Sequence, residues 1–234
     1  LSQKFINAIT SLTSEGKVYE IDMRLRPSGN AGPVALSLDS FTDYHQKKSW
    51  TWEKMALTRA RTIAGDKHFC KSIDKFINDT IITKINRSTL IKDILNMRNK
   101  IEKEHLPKSI WQIRQIRGGL LDCQFLAQFF QLNLASKFPA ILSKNTIKVF
   151  ETLEKLDIYD KTILKTLKKN TVLQHNINSI MDLCLLDSKK INDDPIEIIS
   201  ALLESTKFKS FEKLKFKLSK AQNEVFNIYN KIIK

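Results

Sequence analysis

Apolar residues recur along most of the chain at the three- and four-residue intervals of an amphipathic helix, and one short stretch alternates instead. Phe5, Ile6, Ala8, Ile9 and Leu12 predict a helix within residues 1 to 15, stopped by Ser14-Glu15-Gly16. It feeds a predicted strand over residues 17 to 25, where apolar and polar positions alternate until Pro27-Ser28-Gly29 ends the pattern. Strand side chains repeat every two residues, so Asp22, Arg24 and Arg26 are expected on one face. Gly29, Gly32 and the prolines at 27 and 33 mark the following loop. Its freed amides suit a phosphate, but SGNAG has neither the P-loop lysine nor the spacing of a dinucleotide fingerprint.

Ser37 is placed to cap a helix over 38 to 48, with Leu38, Phe41 and Tyr44 on one face. In Trp50-Thr51-Trp52-Glu53-Lys54-Met55-Ala56-Leu57, helical spacing puts Trp52, Met55 and Ala56 on a packing face. Glu53, Leu57 and Arg61 line up at intervals of four on another. That second face is either aimed at something buried or the outer side of an ordinary amphipathic helix. Residues 66 to 83 predict a helix with Phe69, Ile73, Phe76, Ile77 and Ile81 inward. Residues 88 to 104 predict another, closed by His105-Leu106-Pro107.

Gly118-Gly119 then interrupts the chain just before a long apolar helix. Asp122 lies in its first turns, where the helix dipole alone justifies an acid. With Arg114 and Arg117 nearby, the glycines also suit close approach to a backbone or a phosphate. No glycine follows Gly119, and helices are predicted at about 120 to 136, 143 to 156, 160 to 186, 195 to 205 and 209 to 233. Pro139, Asp157 and Asn192-Asp193-Asp194-Pro195 separate them. Phe129, Phe130, Leu153, Leu156, Leu164, Leu167, Ile180, Leu183, Phe226 and Tyr229 form the expected core stripes. The expected fold is mainly α (α+β overall), with domains at 1–85 and 86–234 and a boundary near 84 to 88.

Composition narrows the class of partner. The 234 residues can bury a sizeable core, and no apolar run approaches the ~20 residues of a membrane span. Leu1 is not an initiator methionine, so the chain is expected to start inside a longer protein or after processing. Cys70, Cys123 and Cys184 are far apart and in no metal spacing; they read as reduced, buried apolar residues of a cytoplasmic protein. His45, His68, His105 and His175 likewise have no ligand spacing. The formal charge of +14 is carried mostly by lysines set singly on polar helix faces, without a basic run interleaved with aromatics. An acidic protein surface or a lysine-rich genome explains it better than nucleic acid or membrane.

Candidate chemistry returns to the alternating stretch. An acid beside two guanidiniums suits a metal-bound phosphate, the acid holding the cation and the arginines the oxyanion. A solvated surface ion pair is the competing reading.

Four runs together carry a resemblance: YEIDMRLRPSGNAG, SLDSFTDYH, WTWEKMALTRARTIAGD and RGGLLDCQFLAQ. They resemble the bacterial glutamine synthetase adenylyltransferase/adenylyl-removing enzymes over roughly residues 1 to 135, and in pattern only beyond. DMRLRPSG followed by WTWExxALTRAR is more similar to the C-terminal, adenylylating half than to the deadenylylating half. The resemblance implies a truncated polymerase beta-like nucleotidyltransferase palm with few strands, followed by a helical bundle. It implies transfer of AMP from ATP, with Mg2+ or Mn2+, to a tyrosine of glutamine synthetase. Glutamine synthetase and the PII signalling protein are the implied partners.

By the same resemblance Asp22 matches the third of three palm carboxylates, a metal ligand and catalytic residue. Arg24 and Arg26 would neutralise phosphate or lock the strand end, and Arg59 and Arg61 join the nucleotide-binding set. Glu53, Gly118, Gly119 and Asp122 are supporting positions, the glycines bringing the bundle against the palm. Two departures follow. The first two carboxylates would lie upstream of Leu1, which leaves this chain inactive alone, and Gln124 stands where the family has Glu. A binding or regulatory module contacting glutamine synthetase or PII is the alternative. The related uridylyltransferases fit the DMRLRPSG and WTWE motifs less well.

Overall fold

The computed structural model describes residues 1–14, 16–17, 20–184 and 196–234. Among them are ten α-helices and one two-stranded antiparallel ribbon, a mainly α fold. The chain forms two compact units, Leu1–Thr80 and Ile81–Lys234. Their division falls inside the helix Lys67–Ile82, ahead of the connection at 84 to 88 where the sequence pattern sets it.

In the first unit, α1 (Ser2–Thr10) leads into β1 (Leu12–Thr13) and β2 (Gly16–Lys17), with Leu12 opposite Lys17. The strand expected over 17 to 25 is corrected. Val18 and Tyr19 lie outside the described residues, and 20–25 form no strand but run into a turn. The Asp22 carboxylate accepts the Arg24 backbone N–H at 2.9 Å, and Arg26 N–H bonds Met23 O at 3.4 Å. An aspartate that bonds the backbone two residues on competes with strand pairing, which is why alternation failed here.

Ser37 caps α2 (Leu38–Lys47) as expected, accepting from Ser40 N–H at 3.2 Å. The next helix, α3 (Thr51–Leu57), is short, so Arg61 lies beyond it and does not continue the Glu53–Leu57 line. Asp66 caps α4 (Lys67–Ile82) by accepting from His68 and Phe69. Met55, Leu57 and Ile77 are buried here, and Phe41 meets Phe76 edge-on at 5.7 Å. Phe69, expected inward, is 49% exposed and lines a groove of about 250 Å³ with Arg26, Pro27, Phe41 and Ile73.

The second unit is a helical bundle. It comprises α5 (Arg87–His105), α6 (Leu120–Leu134), α7 (Thr146–Lys155), α8 (Lys161–Leu183), α9 (Ile196–Thr206) and α10 (Phe211–Ile233). Asn86, Asn145, Asp160 and Ser210 cap α5, α7, α8 and α10 through side-chain oxygens. The central element is α6, apolar on nearly every side and packed against α5, α7, α8 and α10. A helix apolar all round is stable only when other helices cover it.

Most of the expected stripe is buried, but Leu156 and Leu183 are exposed. Of the cysteines only Cys123 is buried; Cys70 is half-buried and Cys184 exposed. The break expected at 192 to 195 lies outside the described residues. No helix among the described residues is long and apolar enough to cross a membrane.

Candidate functional site

The turn that replaces the strand brings its acid and arginines into an arrangement of its own. Arg24 folds back on Asp22, its Nε 3.0 and 3.1 Å from the two carboxylate oxygens and its Nη2 2.8 Å from Oδ2. Both side chains remain more than half exposed. Arg26 turns the other way and donates to Met23 O at 2.8 Å and Gly32 O at 3.3 Å, closing the loop 23–32 across its mouth. The expected shared face therefore does not form. Arg24 pairs with the acid, and Arg26 is part of the loop's frame.

Hydrogen bonds from the Arg24 side chain and from its backbone N–H hold the Asp22 carboxyl down to about 2. A carboxyl lowered by folding adds stability above its ordinary pKa and loses it as pH falls toward that lowered value. The pair is a surface one, worth under about 1 kcal/mol. An NMR titration should place the Asp22 midpoint near 2. Arg24→Gln should raise it toward an ordinary aspartate value; an unmoved midpoint would show that Arg24 does not set it.

Glu53 is 3% exposed in the α2–α3 hairpin. Its Oε1 accepts from the Tyr44 hydroxyl and its Oε2 from the Trp50 N–H, both at 2.8 Å. The second bond is half of a capping box at the start of α3. His45, beside them, is buried, and burial lowers its pKa. Arg59 and Arg61 are exposed past the end of α3. Thr62, next to them, is tied to Asp74 of α4 at 2.9 Å. Among the described residues the hydrogen bonds of Asp22 go to Arg24, and none joins it to Glu53, Arg59 or Arg61.

A separate cluster lies in the bundle. Asp122 is completely buried, ion-paired with the equally buried Arg98 of α5, and accepts the Gly118 N–H at 2.6 Å. Arg98 also donates to Gln115 O at 2.7 Å, and Gln174 of α8 donates to Gly118 O at 3.0 Å. Gly118 has φ +74, and a Cβ there would lie 1.8 Å from Gln222 O of α10. At Gly119 a Cβ would lie 2.2 Å from Ile113 O. The glycines thus permit close approach to α10 and to their own loop. Arg114 and Arg117 are committed elsewhere, to Asp182 at 2.5 Å and Glu102 at 2.6 Å. The Arg117 hydrogen bond holds the Glu102 carboxyl below its usual range. Burial pushes the Cys123 thiol up to about 12, which keeps it unreactive as a nucleophile.

Two residues in these clusters were passed over in the sequence. Tyr44 read only as part of an apolar face. Arg98 did carry a signal: Leu90, Ile94 and Arg98 fall at intervals of four, so the arginine stands in a core stripe. No group of three His, Cys, Asp or Glu among the described residues could hold a metal ion. Asp22 is a single carboxylate engaged by Arg24, so these residues do not by themselves fit a two-metal centre.

Residues 1–76 match the family model described as Glutamate-ammonia ligase adenylyltransferase. Over 232 residues the chain is 34% identical to the bifunctional glutamine synthetase adenylyltransferase/adenylyl-removing enzyme of Bradyrhizobium diazoefficiens, covering 99% of this chain and 23% of that protein. It is 32% identical to the protein of the same description from Rhodopseudomonas palustris strain BisB5, over 99% of this chain and 24% of the relative. For that of Bartonella quintana the identity is 31%, over 100% of this chain and 24% of the relative. The chain is therefore similar along its length to one segment of these relatives, and spans about a quarter of their length.

Proposed function

We propose that this chain is a segment of the adenylylating half of an enzyme that transfers AMP from ATP to a tyrosine of glutamine synthetase. The observation that supports it most is the loop 20–32, matched to the family and built to present one carboxylate. Arg26 ties the loop shut, while Asp22 and Arg24 stay exposed at its edge. In this reading Asp22 is one carboxylate of a Mg2+ or Mn2+ site whose remaining ligands come from outside the described residues. Arg24, with the exposed Arg59 and Arg61, meets nucleotide phosphate. Arg24 is the residue that must change partner, releasing Asp22 as phosphate arrives. Glu53 holds structure within the first unit, and Gly118, Gly119 and Asp122 hold it within the bundle. In this reading the chain alone does not transfer AMP, because Asp22 is a single carboxylate of the site.

The bundle unit supports a second role in docking. Residues 81–234 hold 27 Lys and Arg against 16 Asp and Glu. Within it Lys207, Lys209, Lys213, Lys215, Lys217 and Lys220 are interleaved with Phe208, Phe211 and Phe216, and Phe216 is 71% exposed. This run departs from the expectation that no basic stretch carries aromatics. Such a surface suits an acidic protein, glutamine synthetase or PII, in the cytoplasm.

Both readings are tested together with Asp22→Asn in the full-length protein. AMP transfer should fall at least a hundredfold while co-sedimentation with glutamine synthetase persists. Retained transfer would remove Asp22 from catalysis; loss of both would point to a binding or folding defect.

A further inference from the structure

We propose that the outer face of α10 is a docking stripe for an acidic protein segment, one that seats an apolar side chain on Phe216 between carboxylates held by Lys213 and Lys220. The inference deepens the docking reading of the bundle and rests on it for the partner, but the stripe itself stands on burial and pairing.

Folding divides the run of lysines and phenylalanines between two faces. Leu214, Leu218, Ala221, Val225 and Tyr229 of α10 turn into the bundle and are buried. Phe208 and Phe211 also go inward: both pack on the core around Trp111, and the Phe211 ring stacks on the indole with centroids 5.3 Å apart. Lys213, Phe216, Lys220, Asn223, Asn227 and Lys231 are all exposed and recur at intervals of three and four, so they line one outer face. Phe216 is the most exposed aromatic ring among the described residues.

The lysines of this face lack carboxylates of their own. Among the described residues Lys213, Lys220 and Lys231 form no ion pair, whereas Arg114, Arg117, Lys161 and Lys168 of the same unit each do. Of the nearby acids, Glu224 is taken up by Asn170 at 2.8 Å and Glu212 stands at the edge of the stripe, which leaves the face positive. Such a face is complementary to an acidic partner. Lys213 and Lys220 lie about 10 Å apart along the helix, with Phe216 between them. Other occupants fit less well. A nucleic acid stacks its bases on successive aromatics, and here two of the three rings point inward. A bilayer takes up a free apolar face, and that of α10 is buried. A second copy of this chain, at +14, is repelled.

The test is binding of a fluorescent peptide of alternating Glu and Ala with one central Leu to the 234-residue chain. Lys213→Glu/Lys220→Glu should weaken it at least about tenfold. Phe216→Ser should weaken it about fivefold. Both variants should keep the urea midpoint, since the side chains are exposed. Lys148→Glu/Lys155→Glu makes the same charge change at the same spacing on the exposed side of α7, and should cost under about twofold. Equal loss from the α7 pair, no loss from Phe216→Ser, or no binding by the unaltered chain overturns the stripe. So does tighter binding of oligo-dT or of phosphatidylserine vesicles than of the peptide. In the full-length protein the α10 variants should also lose co-sedimentation with glutamine synthetase. If co-sedimentation survives while the peptide is lost, the docking partner is wrong and the stripe stands.

Discussion

Asp122→Asn is expected to lower the stability of the bundle by about 3–5 kcal/mol, read as a lower urea midpoint at unchanged slope. The reason is the state of what remains. Arg98 and Asp122 are both fully buried, so the variant leaves a guanidinium without its counter-charge inside the bundle. It also changes the acceptor of the Gly118 N–H, on which the turn into α6 depends. Arg98→Met should cost a comparable amount, because it orphans the carboxylate and the Gln115 carbonyl. The double variant Arg98→Met/Asp122→Leu should cost clearly less than the two singles together, since apolar replacement removes both buried charges at once. Strict additivity, or a single-variant loss below about 1 kcal/mol, would mean that the pair does not hold the bundle.

Gly118→Ala should be the other severe change. At φ +74 an alanine costs about 1–2 kcal/mol in the left-handed region before any contact is considered. Its Cβ would then sit 1.8 Å from Gln222 O and 2.6 Å from Gln222 C, both backbone atoms of α10. Relief requires moving a helix, and overpacking of this kind adds about 1–3 kcal/mol. Gln222→Ala in the same background should recover nothing, because the collision is with backbone rather than side chain. Recovery by that second substitution would show the obstruction to be the Gln222 side chain.

The two variants share a lesson about which residues were readable. The glycines were legible as a break because nothing else in that stretch tolerates the turn. Asp122 was legible as a helix-start acid. Its partner was not, because Arg98 lies 24 positions away and only the packing of α5 on α6 makes the two adjacent. The Asp22 stretch failed in the opposite direction. Alternation over 17 to 25 is the ordinary mark of a strand, yet the Arg24 backbone N–H bonding the Asp22 carboxylate gives the chain a local alternative. Periodicity cannot register a competition between a ladder bond and an aspartate carboxylate.

Helices α5, α7, α8 and α10 are legible in the sequence alone, because each carries its own side-chain cap and apolar stripe, and burial of that stripe is what stabilises it. Phe129, Phe130 and Leu153 are expected in the core on that basis and lie there. Motif runs within residues 1 to 135 likewise carry the resemblance to the adenylyltransferase relatives. Tertiary structure decided what each charged group does. It turned Arg24 onto Asp22 and Arg26 into the loop frame. It set Tyr44 against Glu53, and buried Arg98 against Asp122. Apolar burial follows from a residue's own side chain and spacing, whereas an ion pair or hydrogen bond exists only where folding has brought a second group within about 3 Å.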